Sequence, residues 1–460
     1  MTELKNKLAK LSPGKDHIID SNGEKVEYND PRVVHVLTID LNPYAKSLIE
    51  KIYEKYGRKI RIAEGTSAEI LNLARQLCSG RECLPMTSNA GAMLKDIRQN
   101  REKDEITLYL PGDEPGPCQH GAWPVIWETF AERLNVENTI FGLWPNPSNK
   151  NLGMGSDYLL EITKSLILGD LFSEAANTLR CLARDKNAAM EIFNVGFEKF
   201  SKCIKKDEKT LKSALAKWAK DMAEIPLIAS VNQTPRILIF GGLNVHFVHH
   251  PVTDYFIEQG IIPKVVDMLE GMLWFGSQSI MRYRFQKGIV NPEKQFSLTG
   301  LFISRIFAGK EEKTNAIKAL MSRIVILLTE NKIKKYRGIM EESGLMFDVH
   351  IPFAKIAEAG HGYATYNAFT ETPVTTGRYL HAAKSGLYDG LINLASFNCP
   401  PAMNSQATIR PFANLNDTPY AAIDCEGPWL SANQKRLLET VAVQAKRVRE
   451  KKIKCARGHT

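Results

Sequence analysis

The chain has 460 residues, which suits two or three domains better than one. A hydrophobic content of 44% and a charged content of 24% are typical of an ordinary globular protein. No apolar run approaches the roughly 20 residues that a membrane helix needs, and the charged N-terminus lacks a signal-peptide core. We therefore expect a cytoplasmic protein. The net charge of +9 comes from scattered lysines and arginines without a nucleic-acid motif, so we expect neither a nucleic-acid partner nor a membrane partner.

Residues 1–30 are polar and predict a helix followed by a loose segment. Strand and helix patterns then alternate as far as residue 150, which is typical of βαβ units and a parallel sheet. The predicted strands are 32–40, 59–63, 106–110 and 139–143, and the predicted helices are 43–56, 67–77, 89–98 and 123–134. In such a sheet, functional sites form at the carboxyl ends of the strands.

Residues 155–225 show only helical periodicity, and the cysteines inside them, Cys181 and Cys203, are expected to pack. Strand patterns return further along the chain, at 236–240, 262–266, 346–349, 391–396 and 420–424, with helical patterns over 292–340 and 433–452. We therefore predict an α/β protein with two parallel-sheet domains joined by a helical segment. The expected divisions are an N-terminal segment (1–30), a first α/β domain (31–150), a helical connector (151–230) and a second α/β domain (231–455).

Eight cysteines need an explanation, because disulfides are disfavoured in the cytoplasm. Metal or cluster ligation and simple burial are the remaining interpretations. Three of the eight lie in Pro/Gly-rich turns: Cys83 in Glu-Cys-Leu-Pro, Cys118 in Gly-Pro-Cys-Gln-His-Gly and Cys399 in Phe-Asn-Cys-Pro-Pro. Turn-borne cysteines near apolar strands predict thiolates that converge on one inorganic centre. A structural zinc site is disfavoured, because its ligands come in close Cys-x-x-Cys pairs.

Two further cysteines could join this centre. Cys78 precedes Cys83 by five residues, and Cys425 ends a predicted strand of the second domain. Five thiolates are more than one cubane cluster uses, so their participation would indicate a larger cluster. Packing at a helix end and at a strand end is an equally open interpretation of the two residues.

Polar residues near these turns are candidates for catalysis. His120 follows Cys118 by two residues and could donate a hydrogen bond to a cluster sulfur or to a substrate. His361, in the turn Ala-Gly-His-Gly-Tyr, could line a substrate cleft, as could Glu371 and Arg378. The spacing His-x-x-His-His, downstream of a Gly-Gly turn, could also hold a metal, but surface or capping roles are favoured for these three histidines.

Four segments of the chain resemble the 2-hydroxyacyl-CoA dehydratase and benzoyl-CoA reductase superfamily. The likeness is greatest to the cluster-binding part of acyl-CoA dehydratase activase-related proteins. The segments are Cys83-Leu-Pro with the helix that follows, Leu110–Trp123, Thr234–Glu270 and Tyr379–Gln434. They cover less than half of the chain, but their order and spacing match as well as their content.

The resemblance implies flavodoxin- or Rossmann-like domains with an iron–sulfur cluster where they meet. By motif, the three cluster ligands correspond to Cys83, Cys118 and Cys399. The family receives low-potential electrons from a separate ATP-dependent activator and reduces or dehydrates an acyl-CoA by a ketyl-radical route. One branch binds a double-cubane cluster, and relatives form homodimers or heterodimers.

The chain departs from the family in three places. It lacks the activase-like ATPase motifs, so we expect it to depend on a separate activator. The substrate-contact stretch of the activase-related proteins is replaced by ETPVTTG at Glu371–Gly377, and Cys425 stands where relatives often have tyrosine. An iron–sulfur reductase or dehydratase component is the leading interpretation. A non-catalytic electron-transfer or assembly subunit and a double-cubane reductase of small molecules are the alternatives.

Overall fold

The computed structural model describes residues 8–12, 14, 16–110, 118–142, 152–155, 157–286, 310–364 and 370–457. Over these ranges the protein is mixed α/β, with two four-stranded parallel sheets and fourteen α-helices. A small antiparallel sheet at the N-terminus is formed by β1 (Lys10–Leu11), β2 (Ile18–Ile19) and β3 (Lys25–Val26).

The prediction of an N-terminal helix is wrong for the described part of residues 1–30. Side-chain hydrogen bonds in a turn favour the small sheet there. The Asp20 carboxylate accepts hydrogen bonds from the N–H groups of Asn22 and Glu24, both at 2.9 Å. Gly23 follows with a φ of 85°, which suits glycine. This turn joins β2 to β3 as a hairpin.

The first parallel sheet follows the predicted alternation, and its strands pair in the order β5-β4-β6-β7. In chain order its elements are β4 (Val33–Leu37), α1 (Pro43–Lys55), β5 (Lys59–Ile62), α2 (Ala68–Ala74), α3 (Leu84–Gln99), β6 (Ile106–Leu110), α4 (Trp123–Arg133) and β7 (Thr139–Phe141). Helix α3 begins five residues before its predicted start, because Pro85 occupies the first turn, where proline is favourable.

Three helices follow, as the periodicity of residues 155–225 predicts. They are α5 (Asp157–Leu182), α6 (Lys186–Ser201) and α7 (Glu208–Ala223). Phe172 of α5 packs against an aromatic group from the other two helices, with ring centroids 4.7–6.2 Å away: Phe193, Phe197, Phe200 and Trp218. Cys181 is 2% exposed in the core, in agreement with a packing role.

The second parallel sheet pairs in the order β11-β10-β8-β9. In chain order its half contains β8 (Arg236–Phe240), α8 (His250–Glu258), β9 (Ile262–Val265), α9 (Met268–Gln286), α10 (Lys310–Met340), α11 (Phe353–His361), α12 (Thr372–Ser385), β10 (Gly390–Ser396), α13 (Pro400–Ala413), β11 (Tyr420–Cys425) and α14 (Ala432–Arg457). Residues 287–309, which include the first part of the predicted helical stretch 292–340, lie outside the described residues. Helix α14 runs past its predicted end and includes the exposed Cys455.

The strand predicted at 346–349 is wrong, because its backbone binds a side chain instead of a neighbouring strand. The N–H groups of Phe347 and Asp348 both donate to one carboxylate oxygen of Glu174, at 2.9 Å each. Arg337 donates to the same carboxylate and to the carbonyl of Asp348. The apolar pattern that predicts a strand therefore reports only burial.

The two sheets share one topology. Numbered within each half, both have the strand order second–first–third–fourth. In both halves a close helix pair precedes the third strand: α2 with α3, and α11 with α12. Each pair packs through a glycine of its second helix. A Cβ added at Gly91 of α3 would lie 2.0 Å from the carbonyl oxygen of Ile70 in α2. A Cβ added at Gly377 of α12 would lie 1.8 Å from the carbonyl oxygen of Ile356 in α11. The halves therefore form an internal structural repeat.

Replacement of Gly377 by alanine is expected to destabilise the protein by about 3 kcal/mol or more, because the methyl group must displace the backbone of α11. Gly338→Ala is the matched control, since this helical glycine has open space around its Cβ position. It should change the free energy of unfolding by less than about 1 kcal/mol, in the stabilising direction. Urea unfolding measures both, and equal effects would contradict the close packing of the helix pair.

Among the described residues, no helix combines the length and apolar character required to cross a membrane.

Candidate functional site

Direct hydrogen bonds join the three cysteine-bearing turns. The N–H of Cys83 donates to the side-chain oxygen of Gln119, next to Cys118, at 2.8 Å. The amide nitrogen of Gln119 in turn donates to the carbonyl of Asn398, next to Cys399, at 3.4 Å. Gln119 therefore bridges the other two turns across the two halves of the protein.

A second pair of bonds fastens the first turn to the third. The N–H of Leu84 donates to the carbonyl of Phe397 at 3.3 Å, and the side-chain amide of Asn398 donates to the carbonyl of Arg81. Asn398 has a φ of 58°, in the left-handed region that asparagine tolerates better than most residues. The structure thus brings the turns of Cys83, Cys118 and Cys399 to one place, between the carboxyl ends of the two sheets.

Each of these cysteines is the N-cap residue of a helix. Cys83 caps α3, Cys399 caps α13, and Cys118 caps a 3₁₀ turn, Gln119–Ala122, that continues directly into α4. The sequence dictates this, because proline lies in the first turn of all three α-helices, where its fixed φ and missing N–H are suited. Three helix N-termini, each carrying a partial positive charge, therefore meet at the thiols.

Burial controls the protonation of these thiols. Cys83 is 5% and Cys399 is 6% exposed, and Cys118 is partly buried. Burial raises the pKa of Cys83 to about 11, although the N–H of Met86 acts in the opposite direction. Burial likewise raises the pKa of Cys399 well above its usual value, against the N–H of Ala402. Both groups are neutral thiols at neutral pH unless a cation replaces the proton.

Glu371 lies near the same thiols, since the hydroxyl of its neighbour Thr372 donates to the carbonyl of Pro401, two residues after Cys399, at 3.1 Å. Its charge contributes to the raised pKa values of Cys83 and Cys399. The side chain packs on Gly242, where an added Cβ would lie 2.6 Å from the Glu371 Cγ, and Gly242 has a φ of 74°. Glu371 is 9% exposed, and burial raises the pKa of its carboxyl. The charge of Glu371, one of the predicted catalytic residues, thus acts on both thiols.

The two histidine candidates flank this region. His120 is partly buried in the 3₁₀ turn after Cys118, with its ring 4.1 Å from that of Trp123. His361 ends α11, next to Gly360, whose backbone closely approaches the carbonyl of Pro373 near the start of α12. Both histidines therefore belong to the end of the fold that carries the cysteines.

The two additional cysteines occupy different positions. Cys78 packs with Cys83 in one apolar group, and burial raises its pKa to about 12, with smaller contributions from Glu82 and Cys83. Cys425 lies opposite Ser396 at the end of β11, fully buried in the core of the second half. Cys78 is thus a neighbour of the site, whereas Cys425 is a core residue one strand away.

The sequence favours surface or capping roles for the three histidines after the Gly-Gly turn. His250 is exposed and His249 is the N-cap residue of α8, whereas His246 is buried and caps no helix. His246 and His249 are each 6% exposed. Burial lowers the pKa of His246 to about 4, so it is neutral at neutral pH. His249 is hydrogen-bonded to the Thr253 hydroxyl at 3.2 Å. In the part of the chain that the structure describes, no three His, Cys, Asp or Glu side chains are grouped closely enough for one metal ion.

Arg378, a candidate for the cleft lining, takes part in a buried ionic network. It is 5% exposed and binds the Asp348 carboxylate at 3.1 Å, with the carboxylate of Glu270 3.8 Å away. A cavity of about 10 Å³ separates this network from Glu371 and Gly242. Such a volume is at the lower limit for one water molecule.

Glu270→Gln is expected to change how stability depends on pH. Burial raises the pKa of Glu270 from 4.5 to about 7, although Arg378 opposes this. The pKa of Glu270 is thus higher in the folded protein than in the unfolded chain. The contribution of Glu270 to the free energy of unfolding is therefore fully present below pH 4.5 and is lost as pH rises through 7. The variant should therefore gain up to about 3 kcal/mol on the wild type between pH 4.5 and 8. Urea unfolding across this range tests it, and a constant difference would contradict it.

The larger clefts lie elsewhere. A cavity of about 440 Å³ is lined by Val34, Ile60 and Glu105, at the amino ends of the first sheet's strands. One of about 690 Å³ is lined by Thr418 and Tyr420, at the amino end of β11. Sites in parallel sheets form at the opposite, carboxyl ends, where the cysteines are.

Two residues that sequence reasoning missed are Gln119 and Asn398, which join the turns. In the sequence, these two residues are marked only by their position next to Cys118 and Cys399. The residue type alone does not show which distant group each side-chain amide will bind. No family model matches the chain, and no curated protein matches it. The chemistry of the site therefore has to be read from its own residues.

Proposed function

We propose that this chain is an iron–sulfur protein of the 2-hydroxyacyl-CoA dehydratase type. Cys83, Cys118 and Cys399 hold a cubane cluster, which accepts low-potential electrons from a separate ATP-dependent activator. The protein then reduces or dehydrates a small substrate, of the acyl-CoA class by resemblance. The observation that carries the proposal is the hydrogen-bonded meeting of three cysteine turns from two halves of the fold.

The donor set fits a cluster better than a single ion. Cysteine ligands of a cubane bind different iron atoms, so they stand further apart than the ligands of one zinc. The three cysteines of this site come from three separate turns, which hydrogen bonds hold together. Three cysteines on a cubane leave the fourth iron open to another ligand.

The electrostatics of the site favour a group, such as an iron–sulfur cluster, that brings metal cations to the thiols and carries a net negative charge. The thiols are neutral in buried surroundings, and iron would replace their protons. The remaining negative charge of the thiolates and sulfides would face three helix N-termini, which stabilise anions. Their N–H groups, such as those of Met86 and Ala402, are placed to act on the cluster sulfurs and to raise its potential.

The strand order of each half supports the finer description of the fold. The order second–first–third–fourth is that of the first four strands of a flavodoxin-like sheet. Ligands of that fold bind beyond the carboxyl ends of the strands, which is where the cysteine turns lie. We therefore describe both halves as flavodoxin-like.

When bound, a cluster of this kind supplies one-electron reduction at low potential. The chain's own residues would supply the rest of the site. His120, beside Cys118, is placed to donate a hydrogen bond toward a cluster sulfur or a substrate oxygen. Glu371 places a carboxyl group beside the thiols, and His361 belongs to the same end of the fold.

A second candidate is an electron-transfer subunit that keeps the cluster but binds no substrate. One observation favours it: the cavity that touches Glu371 has about 10 Å³, which is space for water but not for a substrate. The ETPVTTG stretch is also buried, with Thr372, Thr375 and Thr376 each at most 4% exposed.

Anaerobic reconstitution separates these possibilities. The full chain is incubated with ferrous iron and sulfide, desalted, and reduced with titanium(III) citrate. We expect a brown protein with an EPR signal of a reduced cluster, which changes on addition of a 2-hydroxyacyl-CoA or an aromatic acyl-CoA. A signal indifferent to every acyl-CoA would favour the electron-transfer subunit. A protein that takes up no iron would contradict both.

A further inference from the structure

The internal repeat assigns a counterpart to each cysteine turn. Cys118 follows the third strand of the first half and caps the next helix, and Cys399 does the same in the second half. Cys83 caps α3, the helix before the third strand. The corresponding helix of the second half is α12, and its N-cap residue is Glu371.

The N-caps Cys83 and Glu371 differ in ψ, which is 152° at Cys83 and 0° at Glu371, but the first turns of their helices share two features. Cys83-Leu-Pro and Glu371-Thr-Pro place proline in the first turn of their helices. The carbonyl of Cys83 accepts the N–H of Thr87 at 3.0 Å, and that of Glu371 accepts the N–H of Thr375 at 3.0 Å. Both helices pack through a glycine on the preceding helix of their pair. Glu371 therefore stands where strict repetition would place a fourth cysteine.

The surroundings of Glu371 are unusual for a carboxylate. It is 91% buried, and among the residues that the structure describes no lysine, arginine or histidine forms an ion pair with it. Arg378, which lines the same cavity, is bound to Asp348. A buried carboxylate without a cation is costly, and such groups are paired or coordinate metals. The hydrogen bond from the Thr372 hydroxyl to the carbonyl of Pro401, at 3.1 Å, fixes the start of α12 against the start of α13 and so holds Glu371 at the turn of Cys399.

We infer that Glu371 is the fourth protein ligand of the proposed cubane, its carboxylate binding the iron that the three thiolates leave open. This inference rests on the proposed function. Carboxylate oxygen is a harder ligand than thiolate and holds iron of a cluster less firmly. The chain would thus combine three thiolates with one exchangeable oxygen ligand, at the iron where an incoming ligand can bind.

The test compares three variants with the wild type after anaerobic reconstitution of the full chain with ferrous iron and sulfide. Glu371→Ala removes the ligand, and Glu371→Cys replaces it with the residue found in the first half. Glu270→Gln is the matched control, because it removes another buried acid that lines the same cavity but caps no helix. Thermal unfolding monitors folding of each variant.

Iron retention and Mössbauer spectra are the readouts. On brief mild oxidation, Glu371→Ala should lose its fourth iron at least about tenfold faster than wild type and Glu270→Gln, giving the EPR signal of a three-iron cluster. Mössbauer spectra should show one oxygen-bound iron in the wild type, and all-thiolate iron in Glu371→Cys. Unchanged iron loss in Glu371→Ala, or no spectral change in Glu371→Cys, would overturn the inference.

The outcomes also separate this inference from the proposed function. If the wild type takes up no iron and sulfide, the proposed cluster itself is wrong. If the wild type binds a cluster that depends on the three cysteines but not on residue 371, the proposed function stands and the fourth ligand does not.

Discussion

Cys399→Ser is expected to lower retained iron to less than about a tenth of the wild-type amount. Serine is nearly the same size, but its hydroxyl does not supply the thiolate that iron–sulfur clusters require. The loss of iron should be large because, of the three cysteine ligands, Cys399 is the one that the second half contributes. Iron and sulfide analysis after anaerobic reconstitution measures it.

Cys425→Ser is the matched control, because this cysteine is equally buried and ends the neighbouring strand, yet belongs to the core. It should keep wild-type iron, with at most a loss of stability from burying a hydroxyl. Cys78→Ser should also keep a single cubane. Equal iron loss in Cys425→Ser would mean that the centre is larger than one cubane, and equal retention in Cys399→Ser would contradict the ligand assignment.

The second large effect concerns stability. Glu174→Gln is expected to lower the free energy of unfolding by about 3–5 kcal/mol, as for other buried ion pairs that lose one partner. Glu174 is fully buried, binds Arg337 at 2.8 Å, and has Lys264 3.3 Å away. Glutamine keeps the shape but leaves two buried cations undercompensated. The urea midpoint at neutral pH measures the loss.

Glu198→Gln is the control, because its ion pair with Lys202 is exposed on a helix surface and should contribute less than about 0.5 kcal/mol. Protonation of Glu174 at low pH should destabilise the wild type in the same way as the substitution Glu174→Gln. Burial raises the pKa of Glu174, but the charges of Arg337 and Lys264 outweigh it and hold the pKa well below its usual range. Its stabilisation is therefore complete above pH 4.5 and is lost as pH falls. Similar losses in both variants would contradict the role of this network.

Much of the fold follows from local patterns. The central strands of both parallel sheets are buried on both faces, so they read as short apolar runs: β4, β6, β8 and β10. Eight of the nine predicted strands exist. The ninth, 346–349, has the same apolar pattern but gives its N–H groups to Glu174. Periodicity reports burial and cannot reveal which group accepts the backbone hydrogen bonds.

The sequence predicts less of the candidate site than of the fold. Pro/Gly-rich turns single out Cys83, Cys118 and Cys399, because turn chemistry is local. The bridge made by Gln119 joins residues about 280 positions apart, and no local pattern encodes it. The counterpart relation of Cys83 and Glu371 depends on matching strand orders, since Cys-Leu-Pro and Glu-Thr-Pro share only their proline.

Iron and acid-labile sulfide per chain, measured on protein purified without oxygen, test the central proposal most directly. We expect about four irons and four sulfides, as one cubane on Cys83, Cys118 and Cys399 requires. About eight irons would instead indicate a double cubane with further ligands, for which Cys78 is the nearest thiol. Protein that is folded but contains neither iron nor sulfide, and takes up neither on reconstitution, would contradict the proposal.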